Sequence, residues 1–293
     1  MSWVVFSLLA ALSWAVVDTV DKHVLTKWTR HPVVPLIILS IMGIAAGIGI
    51  YLFRGFAYLS FFDILLAFLA GILYMIALLF YFQAVQLEEI SRVVPLFNLT
   101  HFFVLVLAAV FLNEIFTPLK YAGIFMLLIG AVIISLKKFE LSLGKPFWLM
   151  VLCALCLALN LIISKHLLNL ADFWTVFSYS RIGTVLILAP LLYFYYPYIK
   201  EISRKHGKKV LGYITLNESL SLVGVFFITV AASVGYITLV QALSAVQPFF
   251  VLVFTILLSL FFPAFLKEKV KASIVALKIA ATIMMFAGAV LII

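Results

Sequence analysis

Ten apolar stretches divide this chain, each about as long as a bilayer is thick, and the loops between them are alternately basic and nearly uncharged. The stretches run roughly over 2–20, 32–53, 62–82, 92–112, 117–136, 146–165, 173–196, 217–240, 245–264 and 270–292. A helix needs about 20 apolar residues to cross the hydrocarbon core. In lipid each backbone amide must be satisfied inside its own segment, so helices are expected throughout. A membrane β-barrel is excluded, because its strands are about 10 residues long and alternate in polarity. Hydrophobic residues fill 67% of the 293 positions and charged ones 11%, where a soluble domain carries about 25% charged residues. The expected class is an all-α integral membrane protein with ten transmembrane helices.

The net charge of +9 is spread over membrane-edge loops, where basic residues set topology and meet anionic lipid. Nucleic acid is therefore not an expected partner; membrane lipid and a small-molecule substrate are. The longest polar connection is 197–216, and no soluble domain is expected. The start of the chain lacks a basic n-region, and 2–20 is long enough to span, so no cleavable signal peptide is expected. Cys153 and Cys156 stand one turn apart inside an apolar stretch without polar neighbours. They read as packing residues, and no metal or cofactor is expected.

The chain repeats itself. Lys22-His23-Val24-Leu25 matches Lys165-His166-Leu167-Leu168 at an offset of 143. Gln83-Ala84 leads to Pro95 as Gln241-Ala242 leads to Pro248. Phe111-Leu112-Asn113-Glu114 matches Phe265-Leu266-Lys267-Glu268, and Gly130-Ala131-Val132-Ile133 matches Gly288-Ala289-Val290-Leu291. The halves are 1–138 and 146–293, joined by the basic linker 137–145. Each holds five spans, and an odd number makes the second copy enter from the opposite face. Inverted five-helix repeats are an architecture of secondary transporters, with the substrate near the midplane between the halves.

With those motifs in place, the chain resembles the drug/metabolite transporter superfamily, EamA type. Trp14 followed by Lys22 resembles the family's first helix. Arg181-Ile182 resembles the Arg run of its second helix, though Ile38 stands at the corresponding place in the first half. Pro95 and Pro248, with Glu114 and Glu268, resemble the fourth helix, where Asn113 and Lys267 replace the usual Gly. The resemblance covers the whole chain and makes each half an EamA-like repeat. It implies a ten-helix transporter of small metabolites, often an exporter of amino acids or related solutes.

Fifteen of the twenty Lys and Arg fall on the five loops of one face, while Arg54, Lys120 and Lys165 lie on the other. The positive-inside rule then puts both termini outside the cytoplasm, whereas the resemblance implies both inside.

Polar groups within spans are costly and are functional candidates by default. Trp14, Asp18 and Lys22 share one helix face at spacings of four, which suits either an aromatic platform above a carboxylate or a plain Asp18–Lys22 pair. Asn98 and His101 follow Pro95 within two turns. Histidine titrates nearest neutrality, so His101 is a proton-coupling candidate, or else a neutral ring bonded to a neighbouring helix. Arg181, two turns into the seventh span, suits a carboxylate or phosphate clamp; the alternatives are snorkelling and a pair with an acid on another helix. Lys278 reads as a snorkelling residue. Tyr74 and Tyr81 share a face of helix 3, with Tyr236 and Gln241 in the corresponding region of helix 8 and Asn160 alone in helix 6. Glu114 and Glu268 read as structural charges at the start of the helix that follows, with Thr117-Pro118 as a cap and first helical residue. Gly43 and Gly47 let helix 2 pack closely on a neighbour.

No P-loop, Gly-x-Ser-x-Gly or His-Glu-x-x-His occurs, so gradients rather than ATP are expected to drive transport, and no enzyme activity is expected. The expected substrate-binding set is Trp14, Asp18, Tyr74, Asn98, His101, Asn160, Arg181, Tyr236 and Gln241. The expected cargo is a small polar metabolite, with amino acids the leading class. Phosphorylated metabolites and lipid-linked cargo are the rivals within transport; an intramembrane enzyme or scaffold is the rival outside it. The expected setting is the cell membrane, with the chain acting as a monomer.

Overall fold

The computed structural model describes residues 3–27, 33–87, 93–135, 144–206, 208–261 and 272–293. Glu268, Lys267 and most of the 137–145 linker lie outside these, as do the side chains of Lys22, Pro95 and Lys278. All regular structure among the described residues is helical. In chain order the helices are α1 (Trp3–Lys27), α2 (Val33–Arg54), α3 (Phe61–Leu87), a 3-10 turn (Val94–Phe97) leading into α4 (Asn98–Phe111), α5 (Pro118–Ser135), α6 (Lys145–Leu168), α7 (Phe173–Gly183), α8 (Val185–His206), α9 (Lys208–Val234), α10 (Ile237–Ser244), α11 (Gln247–Phe261) and α12 (Ala272–Ile292).

Among the described residues, five helical segments are long and apolar enough to cross a membrane: Val33–Arg54, Phe61–Ala84, Lys145–Leu168, Phe173–Ile202 and Lys209–Val234. Five shorter apolar ones accompany them, at Trp3–Asp18, Asn98–Phe111, Pro118–Ile133, Ile237–Val251 and Ile279–Ile292. The outer surface is greasy, as lipid requires: Phe53, Tyr58 and Phe61 around the α2–α3 connection, and Tyr193, Phe194 and Tyr196 on α8, are all exposed.

Two boundaries differ from the sequence expectation. The polar connection 197–216 is almost entirely helix, because α8 runs to His206 and α9 starts at Lys208. Lys, Arg and Glu are strong helix formers, so the helices continue past the point where hydropathy falls. The chain then breaks at Gly235-Tyr236, inside the stretch 217–240, and α10 begins there. Gln83 consequently sits within α3 whereas Gln241 sits in α10.

The helices pack most extensively as α3 on α6, α5 on α12 and α1 on α9, with α7 lying across α2 and α3. Glycines make the closest crossings. A Cβ on Gly71 would stand 2.1 Å from the Ser180 carbonyl oxygen, and one on Gly183 would stand 2.5 Å from Phe68 Cα, so α3 and α7 touch backbone to backbone. Gly43 and Gly47 seat α2 on the same helix, the first against the Arg181 side chain and the second against the Ser178 carbonyl. Gly123 and Gly288 do the same for α5 and α12.

Candidate functional site

Arg181 lies in the last turn of α7, where the helix dipole favours a cation. Only 4% of the residue is exposed. Its guanidinium carbon stands 4.7 Å from the centre of the Tyr74 ring on α3 and 6.0 Å from that of Phe177. One terminal nitrogen donates to Ser180 Oγ at 3.3 Å. Nε has no hydrogen-bond partner among the described residues, and neither has the buried Ser178 Oγ one turn back. The alkyl part of Arg181 rests on Gly43, whose missing Cβ would be 3.2 Å from Cδ. The Gly43–Gly47 pair thus packs α2 on α7 as its spacing suggested, and it also makes room for the arginine.

Two residues that the sequence did not single out complete this chamber. The Tyr74 hydroxyl is hydrogen-bonded to Ser221 of α9 as well as to Arg181, and the Glu218 carboxylate acts on it electrostatically. Glu218 and Ser221 are three apart, hence on one face of α9, and both are buried. Glu218 is close to the expected start of a span, where a carboxylate attracts no notice. Because α9 starts at Lys208, Glu218 in fact lies about 15 Å along it. The signal that reveals it is helical continuity through 208–216.

Two further polar pairs lie on α1 and α11 and on α4 and α10. Asp18 Oδ2 accepts from Gln247 Nε2, on α11, at 2.6 Å. His101 bonds to the buried Gln241 of α10, leaving Nδ1 without a partner among the described residues. Thr100 and Thr238 carry buried hydroxyls in the same condition. Asn98 opens α4 one turn before His101. Trp14 lies against Gly224 of α9, where a Cβ would be 2.6 Å from the indole Nε1.

The other expected residues stand apart from these groups. Asn160 donates its amide to the Ala70 carbonyl at 2.7 Å, pinning α6 to α3 next to Gly71. Tyr236 precedes α10, is 57% exposed and meets Phe116 edge-on at 5.4 Å. Tyr81 is buried beside Phe97 at 4.8 Å. Cys153 is buried in the α3–α6 core, and Cys156 packs at its edge.

Glu114 is a helix-capping charge, but of a different helix from the one its position suggests. Asn113 adopts φ 55° after α4, a left-handed conformation that Asn tolerates and Gly favours, and the turn sends Glu114 inward to 3% exposure. Its two oxygens accept from the Ile237 N–H at 2.8 Å and the Thr238 N–H at 2.9 Å. They therefore cap α10, not α5. Across the same break, Lys165 Nζ donates to the carbonyls of Ala232 and Gly235, both at 2.7 Å, and caps the end of α9.

Residues 1–136 match the EamA-like transporter family. One solved crystal structure, 17% identical, has a TM-score of 0.70 and covers 99% of this chain and 95% of its own; at that identity the likeness shows the fold alone. No match is found among curated proteins.

Proposed function

We propose, on the match of residues 1–136 to the EamA-like transporter family, that this integral multi-pass membrane protein is a secondary transporter of small polar metabolites, amino acids or related solutes foremost. In this reading the chain crosses the cell membrane ten times, in two inverted halves at 1–138 and 146–293. Counting α7–α8 as the seventh crossing and α10–α11 as the ninth, helix pairing supports the symmetry. Crossings 3 and 6 pair as 8 and 1 do, and 4 with 6 as 9 with 1, while 2 with 7 and 5 with 10 map onto themselves. Such halves exchange conformations and expose a central cavity to each side in turn.

The observation that carries the reading is Arg181: a buried guanidinium, stacked on Tyr74, with Nε unpartnered among the described residues. A buried charge left with unused donors suits an incoming carboxylate. Tyr74 would flank the cargo, and Trp14, Asp18, Asn98 and Gln241 would line its path, whereas Asn160 and Tyr236, expected in the site from sequence, are held elsewhere. His101 is the group for coupling to protons.

Counterflow in proteoliposomes with labelled amino acids and labelled phosphorylated metabolites tests this. Amino-acid exchange by wild type, lost in Arg181→Ala and not restored by Arg181→Lys, is expected. Normal exchange in both Arg181→Ala and His101→Ala rejects the site. Exchange of only the phosphorylated pool moves the cargo to sugar phosphates or nucleotide-sugars. Silence in both pools with folded protein points to a lipid-linked cargo.

A further inference from the structure

We propose that the break between α9 and α10 is a two-pole ion seat that the chain fills with its own charges. Lys165 stands in for a bound cation and Glu114 for a bound anion, so neither a dissolved cation nor the cargo's carboxylate is taken there. With Lys165 truncated, the cationic pole becomes a site for a small primary alkylammonium. The part about cargo rests on the transporter reading; the seat itself does not.

A discontinuous membrane helix ordinarily offers two ligand sites, because its carbonyl end coordinates a cation and its amide end faces an anionic group. Both ends are present here, separated by Gly235-Tyr236. At the first, Lys165 Nζ donates to the Ala232 and Gly235 carbonyls, each at 2.7 Å, the length of a charge-assisted N–H···O bond. At the second, Glu114 accepts from the Ile237 and Thr238 amides at 2.8 and 2.9 Å. Lys165 comes from α6 and Glu114 from the turn after α4, and they attract across the break. Neither belongs to the broken helix, so each meets it as a bound ion would. The start of α1 lies against the same place, since a Cβ on Gly235 would be 2.8 Å from Trp3 Cβ. A tethered charge holds its seat against a dissolved one, because its binding is intramolecular. The carbonyls lie at hydrogen-bond distance from a nitrogen with N–H groups to donate, which suits an ammonium better than a bare metal ion. Lys165 is not fully buried, so an amine in solution reaches the space that truncation leaves.

The test is unfolding of purified Lys165→Ala in denaturing detergent, with and without n-propylammonium, which replaces the side-chain atoms from Cγ to Nζ. The variant is expected to unfold earlier than wild type. The amine is expected to recover about half or more of that shift, rising with concentration as mass action requires. Wild type and Lys165→Met are expected to gain nothing from it, since each side chain already fills the space. Tetramethylammonium and sodium at equal ionic strength are expected to leave Lys165→Ala unchanged; recovery by either to the extent given by the amine overturns the proposal. So does the lack of recovery with propylammonium, including failure to obtain folded Lys165→Ala when the amine is present from solubilisation onward. In the same medium, counterflow by the rescued variant is expected to keep a KM within about twofold of wild type; a larger rise places the cargo at the break and overturns the proposal as well. Wild type silent in counterflow rejects the transport reading alone, and the unfolding result then decides the seat.

Discussion

Glu114→Ala should be among the most damaging single changes outside the chamber, and the structure fixes why. The carboxylate accepts two backbone N–H groups of the first turn of α10, at 2.8 and 2.9 Å, from a position 3% exposed. A hydrogen bond to a charged group contributes about 1.5–3 kcal/mol. Losing both also leaves two buried donors of a helix N-terminus with nothing to bind. Against this stands the recovered desolvation of the carboxylate, so the net cost is about 3–5 kcal/mol, the range for breaking a buried charged contact. Glu114→Gln keeps one neutral acceptor and should lose about half of that.

Glu114→Asp separates the two possible roles. A charge serving the dipole of α5, immediately following, works equally well as Asp. A bidentate cap on α10 does not, because the shorter side chain cannot reach both amides; a loss of about 1.5–3 kcal/mol is expected, equal to one charged hydrogen bond. The assay is unfolding of the purified protein by denaturing detergent, followed by tryptophan fluorescence, in a cycle with Lys165→Met. The double variant should lose less than the sum of the singles, because Lys165 and Glu114 attract across the break. Glu114→Asp unfolding with wild type, or Glu114→Ala within about 1 kcal/mol of it, would refute the reasoning.

Further predictions concern packing and the chamber. Gly71→Ala puts a methyl 2.1 Å from the Ser180 carbonyl oxygen and should prevent stable folding, visible as lost monodispersity after purification. Gly49 and Gly212 have open space where a Cβ would go, so Ala at either should stabilise by about 0.5–1 kcal/mol through helix propensity, read in the same detergent titration. Tyr74→Phe keeps the ring under Arg181 but drops the hydroxyl bonds to Ser221 and Arg181. It should raise the apparent KM about tenfold with unfolding little changed, whereas Tyr74→Leu should abolish exchange.

Most of the helical plan was legible because lipid reduces the problem to length and hydropathy. What hydropathy could not give was where a helix bends or continues. The break at Gly235-Tyr236 lies inside an apolar stretch, and its stability comes from Glu114 and Lys165, distant in sequence. Conversely, Lys200–Lys209 look like a loop but are largely helical. That error hid Glu218 by shifting it to a membrane edge. Arg181, Tyr74, His101 and Gln241 were legible because a polar group inside a span stands out against its cost. Their pairing was not, because it depends on α7 lying across α2 and α3 through Gly43, Gly71 and Gly183.

The helix α9 ties these observations together. Midway along, Glu218 and Ser221 face Tyr74, which bonds Arg181; at its end Lys165 holds the carbonyls, and just beyond it Glu114 holds α10. The two charged devices therefore act on one rigid element about four turns apart. Both tie residues far apart in sequence: Tyr74 to Ser221 and Arg181, Glu114 to Ile237 and Thr238. Parting the helices at Arg181 breaks a few polar contacts around one ring. Parting them at the break forfeits two charge-assisted bonds and exposes a bare helix end. The Glu114 contact is therefore the costlier of the two to part. Glu114 and Tyr74 should then report different properties, the first stability and the second exchange, with additive effects as for sites that share no partner.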